Sequence, residues 1–232
     1  MRQMTAILLA IFMIATPLGV ISGSSASQEL PGPGPLAGGS FGGGNGTVWA
    51  PYIIEDVLDL QAMQNDLGAN YSLGNEIFAS ATSGWNGGDG FVPVGNSTSP
   101  FSGTLDGNHH KISSLYIDRD EDYQALFGQI SPTAKVENLE MENVHINSWQ
   151  HRGAITGWNA GGTIRNISAS GTIGYASSNA GGIVGRMVGG LMDNCSSTCA
   201  VSSTNGNNIG GLVGQAYGGA IITNSWSSGN VQ

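Results

Sequence analysis

Within six residues this chain brings together an acid, two imidazoles and a cation: Asp106, His109, His110 and Lys111. Proton transfer is the chemistry such a group could do. Glycosidic cleavage needs two opposed carboxyl groups, and proton abstraction needs a His steered by an acid. Asp106-Gly107-Asn108 is accounted for more simply as a tight turn, since Asp and Asn hydrogen-bond their own backbone in that setting. No catalytic residue is assigned. Downstream, Asp118, Asp120 and Asp122 alternate in Asp118-Arg119-Asp120-Glu121-Asp122 and are candidate Ca²⁺ ligands, hard oxygen donors for a hard cation. No Gly turn and distal Glu complete an EF-hand loop, and without a metal the run reads as a solvated loop. No cofactor is implied.

Cys195 and Cys199 would stand about 13 Å apart on one extended strand, beyond disulfide reach, and read as two small buried residues. Sequons fall at Asn45, Asn70, Asn96, Asn166 and Asn194. Asn45, Asn70 and Asn96 are candidate glycan acceptors of an exported chain. Asn166 and Asn194 belong to a periodic column of Asn, where an inward amide would be closed to modification. Trp149, Trp158 and Trp226 could bind sugar rings if exposed, and are read as core or turn residues.

Charge narrows the partners. The net charge is −9, and His145 to Gln232 holds only Arg152, Arg165, Arg186 and Asp193. Nucleic acid is excluded as a partner, because phosphate binding needs clustered Lys and Arg. The second half must meet its surroundings through hydrogen bonds and shape.

The elements that carry these residues follow from pattern. Residues 1–26 have Arg2, the apolar run Ala6 to Ile21 and the small residues Ser24-Ser25-Ala26, the layout of a secretory signal. Residues 27–47, with Pro31-Gly32-Pro33-Gly34-Pro35 and several Gly pairs, read as a flexible tether. Residues 48–124 read as a cap and the first coils of a β-structure. Val57, Leu58, Leu60, Met63 and Leu67 recur at helical spacing over 55–67, with acids at the N-terminal end, and predict a short amphipathic capping helix.

From 125 to 232 a repeat takes over. Gly128, Gly157, Gly185 and Gly214 close short apolar runs at intervals of 29, 28 and 29, and Asn138, Asn166, Asn194 and Asn224 keep the same beat. A period of this length marks stacked supersecondary units. The apolar triplets are too short and too Gly-rich for helices, so each unit is expected to be one coil of a parallel β-helix, with Gly at positive-φ corners and Asn in a ladder.

Gly211-Leu212-Val213-Gly214, Gly218-Gly219 and Thr223-Asn224-Ser225-Trp226-Ser227-Ser228-Gly229 resemble the GLUG-motif repeats of secreted bacterial and archaeal surface proteins. Asp59-Leu60-Gln61-Ala62-Met63, Phe101-Ser102-Gly103-Thr104-Leu105-Asp106-Gly107-Asn108 and Leu126-Phe127-Gly128 resemble what commonly precedes them. The resemblance implies an all-β, right-handed parallel β-helix on an exported cell-surface protein, and carries no catalytic residues. The expected function is a non-enzymatic rigid spacer and adhesive face, its partner a surface or extracellular molecule such as carbohydrate. The alternatives are a polysaccharide lyase or glycoside hydrolase built on a β-helix, or a fragment of a larger adhesin or peptidase precursor. The last repeat carries no polar cap, so the solenoid is expected to continue or to self-associate at its C-terminal coil.

Overall fold

The computed structural model describes residues 40–174, 178–204 and 206–232. The expected signal sequence, and the tether up to residue 39, lie outside the described residues. What is described is a parallel β-helix. Its main run of hydrogen-bonded strands is Tyr52–Ile54, Asn70–Leu73, Thr104–Asp106, Lys135–Ser148, Thr163–Gly174, Leu191–Ser197 and Ile221–Thr223, every pair parallel. One column of partners reads Asp106, Glu137, Arg165, Asp193, Thr223, so the coils are 31, 28, 28 and 30 residues long. The opposite wall is a second parallel sheet of Phe127–Ile130, Thr156–Asn159, Val184–Val188 and Val213–Tyr217.

A single strand turns corners because its alternation slips. In Lys135–Ser148 the buried apolar residues are Val136, Leu139, Met141, Val144 and Ile146. Steps of two become steps of three across Asn138 and Asn143, which sit at φ 56° and 52°. An extra outward residue in the left-handed conformation lets the chain bend while its apolar side keeps facing in, and Asn tolerates that conformation better than most residues. The same bend recurs at Asn166, Asn194 and Asn224.

The N-terminal end differs from expectation in two places. The helix runs only over Val57–Ala62, followed by a 3₁₀ turn at Met63–Asn65. Asp56 caps it, its carboxylate accepting from Leu58 N and Asp59 N at 2.8 and 2.9 Å. The Tyr71 hydroxyl donates to Asp66 O at 2.7 Å, which ties the chain down just past the helix end. Residues 41–47, assigned to the tether, are part of the cap. Gly42 N donates to Ile53 O and Ile53 N to Gly43 O at 2.8 and 3.0 Å, pairing the outer edge of the first strand. Phe41 anchors this segment by stacking on Tyr52 at 4.6 Å. Its Gly-rich composition hid one aromatic that is enough to hold it.

From Phe41 an aromatic column runs up the core through Tyr52, Tyr71, Phe101 and Phe127, with successive centroids 4.6, 5.7, 6.3 and 4.6 Å apart. Above it the core becomes aliphatic, with Ile155, Ile183 and Val184 fully buried. Cys195 takes the place held by Leu139 and Ile167 in the coils below. Both cysteines are buried free thiols, and burial pushes Cys195 up to about 11. Among the described residues no helix is long and apolar enough to cross a membrane.

Candidate functional site

The polar residues on the outside of the coils are arranged as inter-coil ladders. Asn194 Nδ2 donates to Asn166 Oδ1 at 2.9 Å, Asn166 Nδ2 to Asn138 Oδ1 at 2.7 Å, and Asn138 Nδ2 to Asp106 Oδ1 at 3.0 Å. The last rung changes partner: Asn224 Nδ2 donates to Asp193 Oδ1 at 2.8 Å, beside Thr223 Oγ1 at 2.9 Å. These two hydrogen bonds, with Arg165 nearby, hold the Asp193 carboxyl below the usual range. Asn166 and Asn194 are exposed, so the ladder runs along an outer corner, not inward as expected. Asn must project outward there because the left-handed bend is what turns the chain.

A second ladder escaped sequence reasoning. Tyr123, His151, Asn179 and Asn208 all have positive φ, between 54° and 65°, and follow one another at 28, 28 and 29 residues. Asn208 Nδ2 donates to Asn179 Oδ1 at 3.0 Å, and Asn179 Nδ2 lies 2.9 Å from His151 Nδ1. With the Asn179 carbonyl already accepting, its amide must donate to His151, so Nδ1 is unprotonated and Nε2 carries the proton. The ring stacks on Tyr123 at 4.9 Å. Burial, and secondarily the Arg186 charge, lower the His151 pKa. The 28-residue beat was the available signal, obscured because the column changes residue type from Tyr to His to Asn.

This ladder explains the repeated Gly. A Cβ on Gly185 would meet Arg152 N, His151 C at 2.6 Å and Asn179 O at 2.8 Å; one on Gly157 would meet His151 O at 2.5 Å. One on Gly214 would meet Ala180 N and Asn208 O, each at 2.7 Å. The left-handed turn folds back across the closing Gly of its own coil. Gly128, Gly157, Gly185 and Gly214 are therefore needed for close backbone approach, whereas the positive φ expected of corner Gly is found at Gly161, Gly189, Gly190, Gly218 and Gly219.

On the outer face of the second sheet, Arg186 lies 4.5 Å above the Trp158 ring and 5.2 Å from that of Tyr217, whose hydroxyl accepts from its guanidinium. Tyr123 closes the stack on Trp158 at 5.7 Å. On a third face Tyr116 stacks on His145 at 4.8 Å, and His145 is held between Thr172 Oγ1 and Asn147 Nδ2, both at 3.1 Å.

The remaining sequence candidates are dispersed. Asp106 Oδ1 accepts from Asn108 N at 2.8 Å as well as from Asn138, which makes it a turn residue and the base of the first ladder. Lys111 pairs with Glu142 at 3.2 Å, and that hydrogen bond raises its pKa. His109 has a left-handed backbone, and His110 N donates to Gly107 O. Among the described residues no group of three acids, His or Cys is placed to hold a metal ion, Asp118, Asp120 and Asp122 included. Asp118 lies in the strand Tyr116–Arg119 and accepts from the Tyr116 hydroxyl at 3.2 Å; with Asp89, Asp120 and Glu121 it lines an open polar pocket of about 540 Å³ that Asp122 does not line. Asn45 and Asn96 are exposed and their side-chain oxygens are taken by nearby N–H groups, whereas Asn70 Nδ2 donates to Gly46 O at 3.0 Å. Of the tryptophans expected in the core or at turns, Trp149 sits in a bend and is 49% exposed, and Trp226 stands on a strand, 56% exposed. His109, Asn166, Ser168, Asn194 and Ser196 line a shallow groove of about 450 Å³ beside the first ladder.

Residues 55–171, just over half of the chain, match the family described as M26 IgA1-specific metallo-endopeptidase N-terminal region. The chain belongs to that family. Residues 205–232 match the GLUG motif, in agreement with the resemblance read from the last repeat. Halomucin of Haloquadratum walsbyi is 34% identical over 81% of this chain, and a provisionally named Gly-rich membrane protein of Evansella cellulosilytica is 35% identical over 51%. The chain spans only 2% and 14% of those two proteins. A Bacteroides ovatus protein, provisionally described as an immunoglobulin A1 protease, shares the fold with a TM-score of 0.58 and 25% identity, over 81% of this chain and 69% of that one. The N-terminal region family and the β-helix thus go together.

Proposed function

We propose that this chain is a non-catalytic β-helical module of an exported cell-surface protein, a rigid spacer whose outer faces bind neutral partners such as carbohydrate. One observation carries the reading. The side chains with chemical potential are tied to their counterparts one coil away: Asp106 to Asn138, His151 to Asn179, His145 to Thr172, Arg186 to Trp158. Groups held in this way keep neighbouring coils in register and are not poised around a reacting atom. The likeness to a membrane protein and to a protein named as a mucin supports a surface location. The nearly charge-free groove along Asn166 and Asn194 supports a neutral, hydroxyl-rich ligand, which would exchange hydrogen bonds with amides and hydroxyls.

The family favours a second reading, in which the chain is the N-terminal part of a longer metallo-endopeptidase and the spacer carries a peptidase elsewhere. The two readings share the same module and differ in what it serves. Incubating the purified chain with immunoglobulin A1 and a panel of polysaccharides, with and without divalent cations, tests the module itself. We expect no cleavage and saturable binding of at least one polysaccharide, weakened by Ser168→Arg. Cleavage abolished by Asp106→Ala or His110→Ala would overturn the non-catalytic reading. Antibody labelling of intact cells tests the location, and labelling that required permeabilisation would overturn it.

A further inference from the structure

The third outer face holds a cleft that the spacer role does not use. Tyr116, His145 and Thr172 stand one above another on successive coils, Tyr116 paired with His145 and His145 with Thr172. The Tyr116 and His145 rings are parallel to within 7°, their centroids 4.8 Å apart, about one strand spacing. Beside them passes the largely 3₁₀ segment Ser80–Gly88, which is clamped to the sheet. Its Thr82 is fully buried and accepts from Tyr116 N at 3.0 Å, while Ala79 N, just before it, donates to Ser113 O at 2.8 Å. Ser80 and Ser83 line the cleft from this wall, and Ser114, Asn143 and Val144 from the corner of the coils, around a volume of about 500 Å³. The uppermost of these coils is itself covered, since Thr172 pairs with Ala200.

We propose that this cleft binds one ring of a neutral sugar and is a site separate from the groove along Asn166 and Asn194. It deepens the carbohydrate reading and rests on it. No Asp, Glu, Lys or Arg lines the cleft, in contrast with the pocket bounded by Asp89, Asp118, Asp120 and Glu121. A charged ligand would lose its hydration there and gain no counter-charge. The Tyr116 and His145 rings, with Val144, offer an apolar wall to the C–H face of a pyranose. The hydroxyls of that ring need both donors and acceptors, and the bonds already made within the cleft leave both. Asn147 Nδ2 donates to His145 Nε2, so the neutral ring carries its proton on Nδ1 and donates it to Thr172 Oγ1. The Thr172 hydroxyl proton is thereby left for a ligand. Asn143 Nδ2 donates to Ser114 Oγ at 3.4 Å, which leaves the Asn143 carbonyl to accept and the Ser114 hydroxyl to donate. A few polar groups placed by rigid strands around an apolar wall, in a volume of this size, are the usual makings of a small-molecule site.

Calorimetric titration of the full chain tests this, with neutral oligosaccharides of glucose, mannose, galactose and xylose, and oligogalacturonate as the acidic comparison. The His ring resonances are followed in parallel. We expect saturable binding of at least one neutral oligosaccharide, a shift of the His145 resonances with those of His151 unmoved, and affinity at least tenfold weaker in Tyr116→Ala and in Ser83→Trp. Ser83 is exposed on the wall, so Ser83→Trp fills the cleft without altering the stacked rings. If Tyr116→Ala fails to fold, Ser83→Trp and the His145 shift decide alone. Binding weakened by Ser168→Arg but indifferent to both cleft variants would overturn this site and leave the carbohydrate reading standing. Binding of no neutral sugar would overturn both. A His145 shift caused by oligogalacturonate and by none of the neutral sugars would overturn the proposal as well.

Discussion

At the scale of single residues, the fold rests on positions where one atom too many cannot be accommodated. Gly185 is the clearest, because the atoms its Cβ would strike belong to the backbone and cannot swing aside. Gly185→Ala should cost about 1–3 kcal/mol, the range for overpacking a well-filled site. Gly84 has nothing within 4 Å of a Cβ, and Gly84→Ala should leave the melting temperature nearly unchanged. Equal melting shifts for the two would refute the close-approach explanation. His151 gives a pH signature. The ladder and burial hold it neutral in the folded state, whereas in the unfolded chain it takes a proton near pH 6.5. Its contribution is therefore complete above about pH 6.5 and is lost as pH falls towards the lowered folded value. Arg186 opposes the protonated form, Asp122 partly favours it, and Tyr123 covers the ring. His151→Asn extends the Asn column without a titrating group, so the variant should lose less stability than the natural chain between pH 7 and pH 5. Denaturant midpoints at the two pH values measure the difference.

At the scale of elements, the N-terminal cap works by imitating a neighbouring strand. The Gln61 amide supplies one donor and one acceptor in the positions a strand would use. Gln61→Leu keeps the volume and removes both, leaving Val92 N–H and C=O without protein partners. We expect a loss of about 2 kcal/mol, from two modest hydrogen bonds, and faster exchange of the Val92 amide. Unchanged exchange at Val92 would mean that the helix caps by packing alone. The same helix buries Leu60 completely, as the 3₁₀ turn after it buries Met63, while Leu58 on the outer side is 36% exposed. Its position in the fold, more than its six-residue length, is what makes it stable.

At the scale of the whole molecule, each coil touches only its neighbours, so stability is distributed along one dimension. Ile183 is fully buried midway through the repeats. Ile183→Asp places an unpaired charge there, at a cost of several kcal/mol. The coils from residue 178 onward should open while those from 52 to 118 persist. Hydrogen exchange should show that split, and a uniform loss of protection would mean that the stack unfolds as one cooperative unit. The aromatic column from Phe41 to Phe127 belongs to the part expected to survive.

The 28-residue beat of Gly and Asn, read without coordinates, was sufficient for the parallel β-helix, because stacking forces equivalent residues into columns and columns force periodicity. Ile183, in one of the apolar runs of that beat, is fully buried, and Leu212 is half-buried and packs against the same core. The direction of the Asn ladder was not legible: whether a left-handed residue points in or out depends on which way the chain bends, and that is set by the coils above and below. Why the closing Gly recurs was not legible for a related cause, since Gly serves positive φ and close approach equally and only the neighbouring backbone shows which. Residues 41–47 and the three tryptophans depended on partners distant in sequence or on the lack of them. Tertiary structure also left Asp118, Asp120 and Asp122 without the arrangement a metal ion needs, because adjacency along the chain is not coordination geometry in space.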